Sequence, residues 1–264
     1  GKSSHTWPVR ELPELKDIQW QQYQDIPKAF ITGTNGKSTS VRLASHIAKA
    51  AGFVAGVTST DFIRVGDDII DTGDYSGPGG ARMLLRDPRT ELAFLEVARG
   101  GILRRGLPID SVDVALITNV ASDHLGQYGI NTVEELAETK FVVAKGLDAH
   151  GTLVLNADNQ LVVKQGLKLG NKMCWFSTNE SNALIQNHLK TGGAAVFIRN
   201  KHIIYAMGNK EEDIASLEQV PMTLNGAAEH NVQNALGVVG LSKALNLPTD
   251  AIRTGLKDFG SNAE

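Results

Sequence analysis

The chain has 264 residues, a net charge of -3 and 42% hydrophobic residues, which is the profile of an ordinary globular protein with a sizeable core. The lack of a basic excess argues against nucleic acid as the main partner, and no apolar run approaches the roughly 20 residues that span a bilayer. One cysteine excludes an internal disulfide and the first residues do not form a secretory signal, so the sequence favours a cytoplasmic protein without a membrane partner.

The polar residues 1–27 are rich in tryptophan, glutamine and proline and have no sustained period, which indicates an arm or linker. The apolar run 29–32 predicts a short strand that leads directly into a glycine loop. After the loop, alanines and a valine recur at helical spacing, and Gly52 follows where a glycine ends many helices. The order of strand, loop and helix is the context in which phosphate-binding loops occur.

Two later segments, 92–98 and 114–120, are continuous apolar runs, which are typical of buried parallel strands. A helix is predicted over 132–146, because Thr132 and Glu135 have the spacing of a capping box. Another strand is predicted at 151–159. These elements predict an α/β domain with a mostly parallel sheet flanked by helices.

Residues 165–224 consist of short alternating segments broken by glycine and asparagine, so we predict a small antiparallel subsheet there. The segment 228–246 predicts a helix. A second helix is predicted at 249–259, with Thr249 as its N-cap. One domain over 28–260 therefore follows the arm.

The glycine loop carries what phosphate binding requires: backbone N–H groups, a following helix N-terminus and a cation. Glycines permit the tight backbone, the lysine offers the cation, and the serine hydroxyl can bind Mg²⁺. The alternative is a simple Gly-Asn turn with a solvent-exposed lysine. The nucleotide-binding candidates in the loop are Gly33, Thr34, Asn35, Gly36, Lys37, Ser38 and Thr39.

Ile31 stands where the usual Walker loop has its first glycine. A loop of this form resembles the ATP-binding loop of the Mur ligases and folylpolyglutamate synthases. Longer segments are similar to one branch of that superfamily, the Mur-like portion of cyanophycin synthetases. These segments are 58–88, 95–107, 118–140 and 154–159. The resemblance implies a Mur ligase central domain that uses ATP and Mg²⁺.

The same resemblance implies ATP-dependent amide formation. A substrate carboxylate attacks the γ-phosphate of ATP to give an acyl phosphate, and the amine of an amino acid then displaces phosphate. In the cyanophycin branch, arginine is added to an aspartate side chain. The resemblance also implies a C-terminal ligase domain that this chain does not contain, and small-molecule or peptide carboxylates and amino acids as substrates. A homo-oligomer is possible, and the sequence does not decide it.

Glu96 is the one charge in an apolar strand and lies near its C-terminal end, the edge at which open α/β sheets bind ligands. We expect it to hold Mg²⁺ beside Ser38, although a strand-end carboxylate can also face solvent. Asn119, Asp123 and His124 follow the next strand. His124 resembles the family's histidine ligand for a second Mg²⁺, whereas a helix-capping turn is the alternative.

Lys140 lies inside the helix that begins after Thr132. In many Mur ligases the lysine at this place carries a carbamate that bridges to the second metal, and the resemblance makes Lys140 a catalytic candidate with Lys37, Glu96 and His124. The alternative is an unmodified lysine in a salt bridge with Glu135 or Glu138.

The remaining candidates lie far from the glycine loop in sequence. His230 and Asn231 resemble the family's adenine-side motif, and N-terminal capping of the helix is the alternative for Asn231. Arg99 and Arg104 are expected either to reach phosphate or substrate carboxylate or to be solvated. The functional alternative to a ligase is a nucleotide-binding module that does not ligate and serves as a scaffold or a partner-regulated switch.

Overall fold

A computed structural model describes residues 26–122 and 125–260. Within these residues one sheet contains all the named strands. The strands are β1 (Lys28–Thr32), β2 (Ala55–Thr58), β3 (Phe62–Val65), β4 (Asp68–Thr72), β5 (Leu92–Glu96), β6 (Val112–Ile117), β7 (Leu147–Asn156), β8 (Lys172–Ser177), β9 (Ala194–Arg199), β10 (His202–Met207) and β11 (Lys210–Ser216).

The helices lie in the connections between these strands, except for the last two, which follow the last strand. They are α1 (Lys37–Ala50), α2 (Pro78–Leu85), α3 (Arg99–Arg105), α4 (Val133–Phe141), α5 (Gln160–Gly166), α6 (Ala183–Lys190), α7 (Glu229–Ala244) and α8 (Thr249–Asp258). Short 3-10 turns span Val142–Gly146, Leu217–Gln219 and Pro221–Thr223. Among the described residues, no helix is long and apolar enough to cross a membrane.

The strand order is β11-β10-β9-β8-β7-β6-β1-β5-β2-β3-β4. From β2 to β9 along this order every neighbouring pair is parallel. At the two ends, β3–β4 and β10–β11 pair antiparallel. The predicted fold class, a mostly parallel sheet flanked by helices, is confirmed.

Two apolar cores lie on opposite faces of the sheet. One contains buried side chains of α1, α7 and α8, and the other contains buried side chains of α2 to α6. The central strands β1, β5 and β6 are buried almost throughout, which explains why their sequences are continuously apolar. Cys174 lies in the first core, and burial raises the pKa of its thiol to about 12.

The antiparallel subsheet predicted for residues 165–224 is smaller than expected. β8 pairs parallel with β7, and β9 pairs parallel with β8, so antiparallel pairing is confined to β9, β10 and β11. The reason is α6, which lies between β8 and β9 and provides the crossover that a parallel pair needs.

The predicted helix ends agree with the structure for α1 and for the start of α4, and differ for α8. Gly52 ends α1 with φ +88°, and the N–H groups of Gly52 and Phe53 donate to the carbonyls of Lys49 and Ala48, as a Schellman motif requires. The capping box at Thr132 is confirmed, although α4 ends at Phe141 and continues as a 3-10 turn.

The prediction of Thr249 as the N-cap of α8 is wrong. Pro248 occupies the cap, and Thr249 is the first helical residue. Its hydroxyl donates to Glu212 of β11, so a tertiary contact takes the group that would otherwise cap the helix.

Candidate functional site

The glycine loop lies at the carboxyl end of β1, in the centre of the sheet, and leads into α1. Gly33 has φ +153°, and a Cβ there would overlap the Thr118 hydroxyl. Gly36 has φ +84°, and a Cβ there would overlap the side-chain oxygen of Asn234 in α7. Both positions therefore require glycine, for backbone conformation and for space.

The loop is tied to the segment that follows β6. The Thr34 amide donates to the Asn119 carbonyl at 2.9 Å. The Asn119 side chain accepts from the Asn35 amide at 3.0 Å and donates to the Asn35 carbonyl at 3.1 Å. The Thr118 hydroxyl donates to the same carbonyl at 2.7 Å. In this structure the Asn119 side chain thus fixes the shape of the loop.

The N-terminus of α1 points towards the loop. The Ser40 amide is bonded to the Gly36 carbonyl, whereas the earlier amides have no partner within the helix because they belong to its first turn. The Lys37 ammonium donates to the Thr34 carbonyl at 2.9 Å, so it folds back over the loop. Ser38 and Thr39 lie half-buried in the same turn. This combination of amides, helix N-terminus and lysine suits a phosphate chain.

Glu96 ends β5 with its side chain fully buried. Its Oε2 accepts from the Ser38 hydroxyl at 2.9 Å and from the Thr60 amide at 3.4 Å. Within the part of the chain that the structure describes, its Oε1 is buried and has no hydrogen-bond partner. Burial raises the pKa of Glu96, while the Ser38 hydrogen bond and the Lys37 charge oppose the increase.

The arrangement around Glu96 fits a magnesium ion. A buried carboxylate oxygen without a partner and an adjacent serine hydroxyl are hard oxygen ligands, which Mg²⁺ prefers. Among the described residues, no three acidic, histidine or cysteine side chains come together as a metal site. An ion here would therefore depend on Glu96, Ser38, phosphate oxygens and water, as is common for Mg²⁺ in nucleotide sites.

Asp123 and His124 lie outside the described residues, so the predicted second metal ligand stays a prediction. Thr60 is a nearby polar residue that sequence reasoning missed. Its hydroxyl is 3.4 Å from the Ser38 hydroxyl. It follows β2, whose neighbour in the sheet is β5, so only the strand order reveals its proximity to Glu96.

A cleft of about 160 Å³ opens beside the loop. Among the residues that the structure describes, its lining includes Gly33, Lys37, Arg99 and Lys140, which gives three basic side chains and no carboxylate. Lys140 is 4% exposed, and its ammonium donates to the Gly33 carbonyl at 2.7 Å. The cleft is electrostatically suited to an anion such as a phosphate or a carboxylate.

The Lys140 contact differs from both interpretations weighed for this residue. Glu135, one of its expected salt-bridge partners, uses Oε2 to accept from the amides of Asn131 and Thr132. The Lys140 ammonium also contacts the loop itself, across 107 residues of sequence, which neither interpretation included. A carbamate on this lysine stays a prediction.

Arg99 and Arg104 lie on α3 next to the cleft, and only Arg99 is part of its lining. Both guanidinium groups pack on the ring of Tyr128, at 5.9 and 5.6 Å from its centroid. Arg99 also donates to the Gln127 side chain at 3.0 Å. The contacts to Gln127 and Tyr128 connect the loop after β6 to the cleft.

The start of α7 lies close to the glycine loop, but among the described residues neither His230 nor Asn231 forms a hydrogen bond with the loop. Asn231 donates to the Met222 carbonyl at 2.8 Å and so holds the preceding turn, and His230 is exposed. The residue that does reach the loop is Asn234, one turn later, which packs against Gly36. Sequence reasoning missed it, although its spacing of one turn from Asn231 was available.

We expect Gly36→Ala to weaken nucleotide binding more than tenfold, because the new Cβ must displace Asn234 from the loop. The matched control is Gly52→Ala, since Gly52 also has positive φ but has nothing within 4 Å of its Cβ position. Each variant is expected to lose roughly 1 kcal/mol of folding stability from backbone strain. Nucleotide titration and urea unfolding of both variants separate the two effects; equal nucleotide affinities would contradict the packing assigned to Gly36.

Comparison with known proteins places these features in one family. The family model "Mur ligase middle domain" matches residues 31–242. Cyanophycin synthetase of Crocosphaera subtropica is 42% identical over 90% of this chain, and that of Nostoc is 39% identical over 98% of it. The chain spans 27% and 30% of the length of these two relatives.

The fold has close counterparts among solved structures. A UDP-N-acetylmuramoyl-L-alanyl-D-glutamate–2,6-diaminopimelate ligase matches 92% of this chain with a TM-score of 0.66 at 17% identity, and the match covers 49% of that protein. At this identity the similarity concerns the fold alone. The shared architecture includes the sheet whose central strands present the glycine loop.

Proposed function

Because this chain belongs to the Mur ligase family through its middle domain, we propose that it is the ATP-binding part of an ATP-dependent ligase that joins a carboxylate to the amine of an amino acid. The observation that carries the proposal is the convergence of the glycine loop, Ser38 and the buried Glu96 at one edge of the sheet. The basic cleft beside them supplies a place for a second anionic group.

The proposed reaction demands mainly electrostatic work and alignment from the protein. A carboxylate oxygen of the substrate bonds to the γ-phosphorus of ATP, and ADP leaves. The amine nitrogen then bonds to the acyl carbon, phosphate leaves with one oxygen, and the amine gives up a proton. Both steps involve negatively charged phosphate and carboxylate groups that the protein has to position. The basic side chains of Lys37, Arg99 and Lys140 around the cleft are suited to this task.

Each group in the site has a role in this proposal. The first-turn amides of α1 and the Lys37 ammonium bind the phosphate chain, and Asn119 keeps the loop in the binding conformation. Ser38 and Glu96 hold Mg²⁺, which when bound neutralises phosphate charge. Arg99 and Lys140 orient the anionic group in the cleft, and their cationic charge favours the substrate carboxylate there.

Phosphate release by the full-length gene product tests the proposal. With Mg²⁺ and ATP present, we expect release to depend on both an aspartyl peptide and arginine, the pair implied by similarity to the cyanophycin branch. Omitting either one provides the control. Tight ATP binding with no release for any carboxylate and amine offered would favour the alternative, a nucleotide-binding module that serves as a scaffold or partner-regulated switch.

A further inference from the structure

A second cavity, of about 250 Å³, lies at the opposite edge of the sheet, where the parallel strands β6 to β9 begin. Its floor is formed by one face of the sheet, because the strand register places Thr152, Cys174, Ala194 and Tyr205 on the same side. The last turn of α7 covers this floor, and Gly240 allows the helix to approach closely. The cavity shares no lining residue with the cleft beside the glycine loop.

Two hydroxyls that line this cavity have no hydrogen-bond partner among the residues that the structure describes. They belong to Thr152 and Tyr205, residues that are 4% and 9% exposed. Buried polar groups in folded proteins are nearly always satisfied, because desolvation without compensation costs free energy. Both hydroxyls belong to residues that line this cavity, so a polar occupant would supply their missing partners.

The charges that line the cavity are balanced and separated. Asp113 and Asp148 belong to β6 and β7, whereas Lys172 begins β8 and Lys243 lies on α7. Neighbouring strands are about 4.8 Å apart, so the acidic and basic sides are separated by one or two strand spacings. An occupant with charges of both signs at its two ends matches this lining.

Existing contacts fix several of these groups in place. One Asp113 oxygen accepts from the Lys28 amide at 2.7 Å, and one Asp148 oxygen accepts from the His150 amide at 2.8 Å. Lys243 donates to Glu212 at 2.7 Å and lies 4.9 Å from the centroid of the Tyr205 ring. The Asp113 and Asp148 carboxylates and the Tyr205 ring are therefore fixed in position before any ligand binds. This reduces the entropic cost of binding.

We propose that this cavity binds a free amino acid as its zwitterion. The ammonium group faces Asp113 and Asp148, and the carboxylate faces Lys172 and the hydroxyls of Thr152 and Tyr205. The volume corresponds to roughly eight water molecules at about 30 Å³ each, enough for a small molecule of this class. Since the six residues of β6 extend roughly 20 Å, a ligand here is separate from the proposed nucleotide site.

Saturation-transfer NMR with the proteinogenic L-amino acids, offered one at a time at millimolar concentration, tests the site. At least one is expected to bind the wild-type chain. The Thr152→Val, Tyr205→Phe double variant keeps side-chain shape and removes both hydroxyls, so affinity is expected to fall about tenfold or more. The N-acetylated amide of the same amino acid, which has neither charge, is expected not to bind.

Lys37→Ala is the control that separates this site from the proposed function, since amino-acid binding should be unchanged when the nucleotide loop is altered. Thermal unfolding and amide NMR spectra of the double variant establish that it is folded. The proposal is overturned if no amino acid binds the wild type, if the folded double variant binds equally well, if the uncharged derivative binds as tightly as the zwitterion, or if Lys37→Ala abolishes binding.

Discussion

Lys37→Ala is expected to reduce ATP affinity by roughly 100-fold, because a charge-assisted hydrogen bond to phosphate contributes about 1.5–3 kcal/mol. The fold should be unaffected, since the Lys37 side chain is half-buried and donates its hydrogen bond to the Thr34 carbonyl of the loop. Calorimetric titration with ATP and Mg²⁺ measures the affinity, and urea unfolding measures the stability.

Lys49→Ala is the matched control for Lys37→Ala. It removes a lysine from the last turn of the same helix, where its ammonium pairs with Asp67 at the exposed surface. We expect its ATP affinity to equal that of the wild type. If Lys37→Ala binds ATP as tightly as Lys49→Ala, the assignment of the loop as the phosphate site is wrong.

Glu96→Gln is expected to raise the Mg²⁺ concentration needed for half-maximal ATP binding by about 100-fold, at the upper end of the losses seen when metal-site partners are removed. The amide can still accept from Ser38, so the local structure should persist. Because burial already disfavours the charged carboxylate, the metal-free variant should be no less stable to heat than the wild type.

Asp61→Asn controls for the loss of a negative charge near Glu96. Asp61 lies close enough to raise the pKa of Glu96, but its own side chain pairs with Arg42 at 2.6 Å and is half exposed. Magnesium titrations of ATP binding by the two variants should differ, with Asp61→Asn close to the wild type. Matching titration curves for Glu96→Gln and the wild type would count against Glu96 as a metal ligand.

Much of the sheet could be predicted because its signals are local. Continuous apolar runs identified β1, β5 and β6, and a single charge at the end of one run identified Glu96 as a residue at the ligand edge. The direction of β8 and β9 could not be predicted in this way, since parallel pairing depends on the helix between them and not on their own residue pattern.

The site was predictable where its residues are contiguous in sequence or lie at the end of a recognisable parallel strand, as Glu96 and Asn119 do. The loop from Gly33 to Thr39 is one short segment, so its spacing is informative. Thr60 and Asn234 reach the loop from distant segments, and their proximity depends on strand order and helix packing. The contact between Lys140 and the Gly33 carbonyl was missed for the same reason, because the two residues are 107 positions apart.

The central claim is that a triphosphate and Mg²⁺ bind together at the carboxyl edge of the central strands. A crystal structure of the chain with Mg²⁺ and a non-hydrolysable ATP analogue tests it most directly. We predict phosphates against the amides that follow Gly33 and a metal bonded to Ser38 and Glu96. A nucleotide bound at another edge of the sheet, or a metal without contact to Glu96, would contradict the account.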